Sequence, residues 1–498
     1  MNKRTFYLAF VLLSITTLQA ANYYASPTGT STSAGTLASP YNITTAISKA
    51  VAGDSVILRG GTYSLATKIS LSKSGTSGSL ISLIAYYGDS SRPVLNFSGE
   101  TRYSSSARGI ELTGSYWYLY KIDIQNAGDN GLYIGGSNNT IEFCTVSLNQ
   151  DSGMQLSGGA SNNLIKNCDS FYNADQLQGN ADGFACKMDV GSGNHFVGCR
   201  SYNNSDDGWD GYLRGADEIN TLVENCWSFH NGFLKDNTAG SGDGNGFKTG
   251  GYDAVTPPAP KAHNMTLTNC ISSTNKVAGF DRNSNVGNIF ILNCSSHNNG
   301  GNDYSFPGGK DPNQKAGHII KIKNSLKIGS TPSFSDTPLD ITNNSWQNGI
   351  SCTAADFQSL DYTQLYLARK ANGDLPDITY LKLVAGSSLI DKGIDVGLSY
   401  FGSAPDLGAF EYGVSTGISV PTSESSGIKI YYSGESRTIN IQGQCTAVNV
   451  FTITGKKILS NRITTNELSI STANWTKGVY LVHILSQNGT SETKKIII

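Results

Sequence analysis

IEFCTVSLN (residues 141–149) returns in outline as IKNCDSFYN (165–173), FVGCRSYNN (196–204), VENCWSFHN (223–231), LTNCISSTN (267–275) and ILNCSSHNN (291–299). Each copy has an apolar residue three places before its cysteine and an asparagine five places after it. Successive cysteines (Cys144, Cys168, Cys199, Cys226, Cys270, Cys294) are 24, 31, 27, 44 and 24 residues apart. Spacing that varies only by whole insertions is the mark of a solenoid whose coils tolerate loops on one side. A coil of about 24 residues is too short for the common helical repeats, and these segments are rich in Asn, Gly, Ser, Val and Ile. The frame therefore predicts an all-β protein built on a right-handed parallel β-helix.

In such a coil, equivalent residues stack at the strand spacing of ~4.8 Å. Stacked asparagines (Asn149, Asn173, Asn204, Asn231, Asn275, Asn299) then bond amide to amide along the axis and satisfy buried polar groups. The cysteine column reads as small buried hydrophobes. With nine cysteines, an odd number, and no CxxC pair, disulfides and metal ligation are the weaker readings, although an exported protein is free to oxidise some.

A second column follows the asparagines: Gly153-Met154-Gln155, Gly183-Phe184-Ala185, Gly208-Trp209-Asp210, Gly246-Phe247-Lys248 and Gly279-Phe280-Asp281. Strand alternation turns the large apolar residue inward and the next one outward. The outward column is then Gln155, Ala185, Asp210, Lys248, Asp281, and the residue before glycine places Asp182 and Asp207 on adjacent coils with Asp206 alongside. Stacked carboxylates ~5 Å apart repel in a partly desolvated groove. A hard divalent cation relieves this, and Ca²⁺ suits flexible carboxylate sites better than Mg²⁺. The alternative, that Asp-Gly and Asp-Asp-Gly only make turns, accounts for one aspartate more readily than for four. Lys248, outward and beside this cluster, is a candidate base. Calcium nearby lowers its pKa, Asp281 opposes that, and the net sign is open from sequence.

The segments NADGFACKM (180–188), NNSDDGWDGY (203–212) and GNGFKTGG (244–251) resemble polysaccharide lyase family 9, calcium-dependent pectate lyases and rhamnogalacturonan lyases on a parallel β-helix. The resemblance covers most of residues 22–412, including YYASPTGT, GDSVILRGGTY and SSLIDKGIDVGLSYFGSAPDLGAFE. It implies Ca²⁺ held by Asp182, Asp206, Asp207 and Asp210, and Lys248 as the Brønsted base. It implies β-elimination on an acidic plant cell-wall polysaccharide, leaving a 4,5-unsaturated uronate end, with an alkaline optimum. Polygalacturonate and rhamnogalacturonan, and endo and exo action, stay open.

Arg282, beside the outward column, is a candidate partner for a second uronate carboxylate. Lys187 and Arg214 are further substrate-binding candidates, and Tyr212 and Tyr252 could stack on sugars. Two other classes compete: a polygalacturonase-type hydrolase on the same fold, which needs neither calcium nor Lys248, and a non-catalytic carbohydrate-binding adhesin, which has no need of the carboxylates. The net charge of −2 does not oppose an acidic polymer, because attraction would be local and carried by the metal. No nucleic-acid partner is expected, and a monomer is.

Residues 1–20 carry Lys3 and Arg4, an apolar run from Phe6 to Leu13 and beyond, and Ala20, as a secretory signal peptide does. The run is short for a membrane span, so a secreted protein with no span in its mature form is expected. Residues 42–52 have helical apolar spacing with Asn42 as N-cap, capping the first coil of the lyase domain (21–412). Residues 413–427, GVSTGISVPTSESSG, read as a linker. The alternating strands of 428–498 read as a small β-sandwich. NVFTITGKKI, WTKGVYLVHI and the terminal KKIII resemble the C-terminal sorting domain of the type IX secretion system, making that machinery the expected partner. The rival, a carbohydrate-binding or adhesion sandwich, would prefer more exposed aromatics than Trp475 and a few tyrosines.

Overall fold

A computed structural model of the chain describes residues 20–253, 260–307, 317–334, 339–413 and, apart from short stretches, 429–497. The signal-peptide and linker expectations lie outside the described residues, save for Ala20 and Gly413 at their edges.

Each coil contributes one short strand to each of three parallel sheets, as in Thr140–Glu142, Thr145–Ser147 and Met154–Leu156. The first sheet has twelve strands among the described residues, and the second and third have ten each. Three turns per coil hold the sheets apart, two of them marked by the repeat. The residue before each cysteine sits at positive φ (Phe143 53°, Asn167 53°, Gly198 62°), as does the residue before each ladder asparagine (Leu148 62°, Tyr172 58°, Asn203 51°). Asparagine tolerates this region best among residues with a side chain, which explains its abundance here.

The asparagine column forms a ladder. Each Nδ2 donates to the next Oδ1, from Asn149 through Asn173, Asn204, Asn231 and Asn275 to Asn299, at 2.8–3.0 Å. Asn299 Nδ2 ends the chain on Asp303 Oδ1 at 2.9 Å. A shorter second ladder, Asn139–Asn163–Asn194, lines the turn between the third and first sheets. The six stacked cysteines are buried free thiols, and the other thiols the structure describes, Cys186 and Cys352, are free as well. Their column behaves as core.

Helix α1 (Ile43–Lys49) buries Ile43 and Ala46, and Asn42 Oδ1 accepts from Thr45 N at 2.8 Å. It packs on the first strands, covering the open end of the solenoid. After the last strand of the first sheet (Leu339–Thr342), residues 350–412 run over the outer face of the second sheet. Phe357, Leu365, Tyr380 and Leu381 form a second core there with Trp227, Phe229 and Ile271. That layer covers the second sheet and leaves the outer face of the third uncovered.

The chain divides into two compact units between Tyr412 and Gly413. In the C-terminal unit, an antiparallel three-stranded sheet and an antiparallel four-stranded sheet share a core of Ile430, Ile439, Val448, Val450, Val482 and Ile484. Among the described residues, no helix is long and apolar enough to cross a membrane.

Candidate active site

The third sheet sets the site. Its strands pair Gln155 with Ala185, Ala185 with Asp210, Asp210 with Lys248 and Lys248 with Asp281, the register read from the repeat. On the inner side Phe184, Trp209, Phe247 and Phe280 stack ring on ring at 4.6, 4.8 and 5.1 Å. Such a column fixes each outward neighbour in height and direction. Gly208 lies hard against the second-sheet strand Trp227–Phe229, where a Cβ would collide with Ser228 Oγ.

Just before these strands, Asp182, Asp206 and Asp207 bring one oxygen each within 4.8 Å of one another, all buried. Asp182 Oδ2 accepts from Ser152 Oγ at 3.1 Å and Lys187 Nζ at 2.6 Å. Asp206 Oδ1 accepts from Asp243 N at 2.8 Å, and Asp207 Oδ1 from Asn245 N at 2.7 Å and Asn245 Nδ2 at 2.9 Å. Asp182 Oδ1 and Asp207 Oδ2 are buried without a hydrogen bond. The latter lies 3.0 Å from Lys248 Nζ as an ion pair without hydrogen-bond geometry. Asp210, the fourth aspartate, stands beside the triad, 3.2 Å from Lys187 Nζ and 3.8 Å from Lys248 Nζ.

Electrostatics show how crowded this is. Burial, then the charges of Asp207 and Asp182, pushes Asp206 up to about 9, and burial pushes Asp182 up to about 7 against the pull of Lys187. Asp207 is also raised by burial, whereas at Asp210 Lys248 and Lys187 outweigh burial and lower it. At Lys248 burial favours the neutral amine, but the carboxylates, Asp207 foremost, hold it above the usual lysine range. Hard oxygen donors, two of them without a hydrogen bond and several reluctant to ionise together, fit a divalent metal ion.

The substrate-contact expectations meet a different placement. Lys187 is 3% exposed and bridges Asp182 and Asp210 from below; its ammonium is committed to the carboxylates, not to the groove. Arg282 is 2% exposed, its Nε donating to Asn285 O at 3.0 Å. Arg214 is exposed, with Nε 2.9 Å from Asp253 Oδ2 and its guanidinium 5.9 Å from the Tyr212 ring. Tyr212 is half-buried beside it, while Tyr252 packs with Ala262 and Val286.

Two supporting groups escaped the sequence reading, and a third, Lys187, was given another role. Asn245 occupies the column position of Asp182 and Asp207, so the frame contained it. Lys276 carries no such signal. Lys276 Nζ donates to Gly240 O at 2.8 Å and Gly242 O at 2.6 Å, pinning the insertion that delivers Asp243 N to Asp206.

Comparison with known proteins meets this geometry at family level. The Pel9A-like right handed beta helix region matches residues 23–315, and a domain of unknown function matches residues 416–498. Pectate lyase L of Dickeya chrysanthemi is 35% identical over 401 residues, 78% of this chain and 90% of that protein. The crystal structure of pectate lyase Pel9A superposes with a TM-score of 0.71 at 33% identity, covering 78% of this chain and 96% of that one. A rhamnogalacturonan lyase superposes at 0.64 with 27% identity, covering 74% and 97%. The parallel β-helix with its buried aspartates is thus that of a polysaccharide lyase, and the chain belongs to pectate lyase family 9.

Proposed function

We propose that the enzyme cleaves pectate by calcium-dependent β-elimination with Lys248 as the base. Carrying this reading is the position of Lys248 Nζ, 3.0 Å from Asp207 Oδ2, with only 12% of its side chain exposed. Asp182, Asp206, Asp207 and Asp210 would hold the ion. The chemistry calcium supplies when bound is Lewis-acid stabilisation of the charge that grows on the uronate carboxylate. Neutral Lys248 takes the C5 proton, the C4–oxygen bond breaks, and solvent protonates the leaving oxygen. Lys187 and the backbone donors of Asp243 and Asn245 keep the carboxylates in place while this happens. Since only the neutral amine accepts a proton, turnover rises toward alkaline pH.

Pectate is preferred over rhamnogalacturonan because the pectate lyases align at higher identity and TM-score. The N-terminal segment and the C-terminal strands support secretion through the type IX machinery as a further part of this reading.

The test follows ultraviolet absorbance of unsaturated uronates during incubation with polygalacturonate. Absorbance should rise with calcium and stop on chelation, and Lys248→Ala should lower kcat by about 10²–10⁴-fold with an unchanged circular dichroism spectrum. Near-normal turnover by folded Lys248→Ala would remove the base, and new reducing ends in chelator would indicate hydrolysis.

A further inference from the structure

Away from the carboxylates, at the turn between the second and third sheets, lie two adjoining recesses of about 500 and 440 Å³. They share Tyr172, Asn203 and Lys235. We propose that this cleft is a second carbohydrate-binding site, which takes a short run of uronic-acid residues independently of calcium.

Its walls come from three parts of the chain. Tyr172, Asn203 and His230 are the positive-φ residues of three successive coils and project outward where the ladder turns. Phe233 and Lys235 belong to a hairpin in the insertion, closed by bonds from Leu234 N to Thr238 O at 2.8 Å and Asn237 N to Leu234 O at 2.8 Å. Tyr362 and Tyr366 come from the outer layer. The wall is fixed by its own contacts. Tyr366 Oη donates to Asn203 Oδ1 at 2.9 Å, Asn203 Nδ2 donates to Leu234 O at 3.1 Å, and the His230 ring stacks on Phe233 at 4.5 Å. A preformed recess lined by aromatic rings with a few fixed polar groups is how proteins hold sugars, whose C–H faces lie on the rings.

Charge selects the class of sugar. Lys235 is exposed at the hairpin tip, its Nζ 5.7 Å from the Tyr172 ring. Asp236 beside it is exposed and also lines the first recess, its Oδ1 accepting from Thr238 N at 3.1 Å and Thr238 Oγ1 at 2.6 Å. On the same sheet face, buried Asp169 is shared by Arg200 and Arg369, both at 2.7 Å, which leaves one net positive charge beneath the segment bearing Tyr366. Burial lowers the His230 pKa, so it adds no cation of its own at neutral pH. The Lys235 ammonium over the Tyr172 ring and the positive charge behind the wall outweigh the Asp236 carboxylate, whose Oδ1 is already bonded to Thr238, and match a carboxylated sugar rather than a neutral one.

The cleft also adjoins the catalytic groove: Asn203 precedes Asp206 by three residues, and the hairpin strand leads into the N–H groups that hold Asp206. A polymer held here is delivered to the groove at raised local concentration. The ligand class rests on the pectic reading; the site itself does not need the metal.

The test titrates trigalacturonate into the whole protein with excess chelator, following heat. Saturable binding should persist, Lys235→Glu should weaken it at least about tenfold, and Lys235→Arg should restore it. With calcium present, Lys235→Glu should raise KM on polygalacturonate and leave kcat unchanged. No binding in chelator, an unchanged Lys235→Glu, or equal binding of neutral galactotriose overturns the proposal. Binding without any calcium-dependent elimination would uphold the cleft and overturn the catalytic reading instead.

Discussion

Lys187 and Lys248 share Asp210, Lys187 pairing also with Asp182 and Lys248 with Asp207, and their different depths give them different work. Lys248 keeps 12% of its side chain exposed and Lys187 only 4%. Breaking a buried ion pair from one side leaves charges with neither water nor partner. Lys187→Met is therefore expected to cost on the order of 3–5 kcal/mol of stability, with part recovered in calcium because an ion bound only by the folded state stabilises it. Urea unfolding with and without calcium measures both. A variant as stable as the parent would mean that Asp182 and Asp210 do not depend on Lys187. The repeat located all four aspartates and Lys248, since a column position is a local property of the frame. It said nothing of the depth at which Lys187 and Arg282 sit, because that is decided by segments distant in sequence.

At the scale of the element, the asparagine ladder ends on a group unlike the rest. Asp303 is fully buried, accepts from Asn299 Nδ2 and Ser296 Oγ at 2.9 Å, and keeps Oδ2 unpartnered. Burial pushes its pKa up to about 6 against those two hydrogen bonds. The ionised form is thus the disfavoured one in the fold. Its cost is absent below the unfolded-chain value of about 4 and complete above about 6. Asp303→Asn should then stabilise the protein by roughly 2–3 kcal/mol at pH 8 and by little at pH 4, as denaturant unfolding at the two values would show. A gain equal at both would point to packing instead. The Cys–Asn frame foretold the ladder; the second ladder, built on Asn139, Asn163 and Asn194, was hidden because no cysteine marks its turn.

For the whole molecule, the outer layer formed by residues 350–412 is clasped to the solenoid through Asp169, Arg200 and Arg369. Arg200 Nη1 also donates to Leu365 O at 2.9 Å and Leu367 O at 2.7 Å. Burial alone would raise Asp169, but the two guanidinia, Arg369 foremost, hold it well below the usual carboxylate range. Its contribution is whole above the unfolded-chain value of about 4 and falls by about 1.4 kcal/mol per pH unit below that. Asp169→Asn should lose about 3–5 kcal/mol at pH 7, and the gap to the parent should narrow as the solution is acidified. A gap constant with pH would show that the clasp holds by shape and not by charge. From the sequence this layer was legible only through SSLIDKGIDVGLSYFGSAPDLGAFE, which shares in the family resemblance, since residues 350–412 lack the repeat and contain mostly irregular structure.

The ladder hands the same donor and acceptor from each coil to the next, so its bookkeeping closes at every full turn and at no fraction of one. Removing or adding a complete coil returns each amide to an identical neighbour, while a slip of a few residues strands donors along the whole axis. The length of the groove, and so the number of sugar units it can span, is free to change only in whole-coil steps.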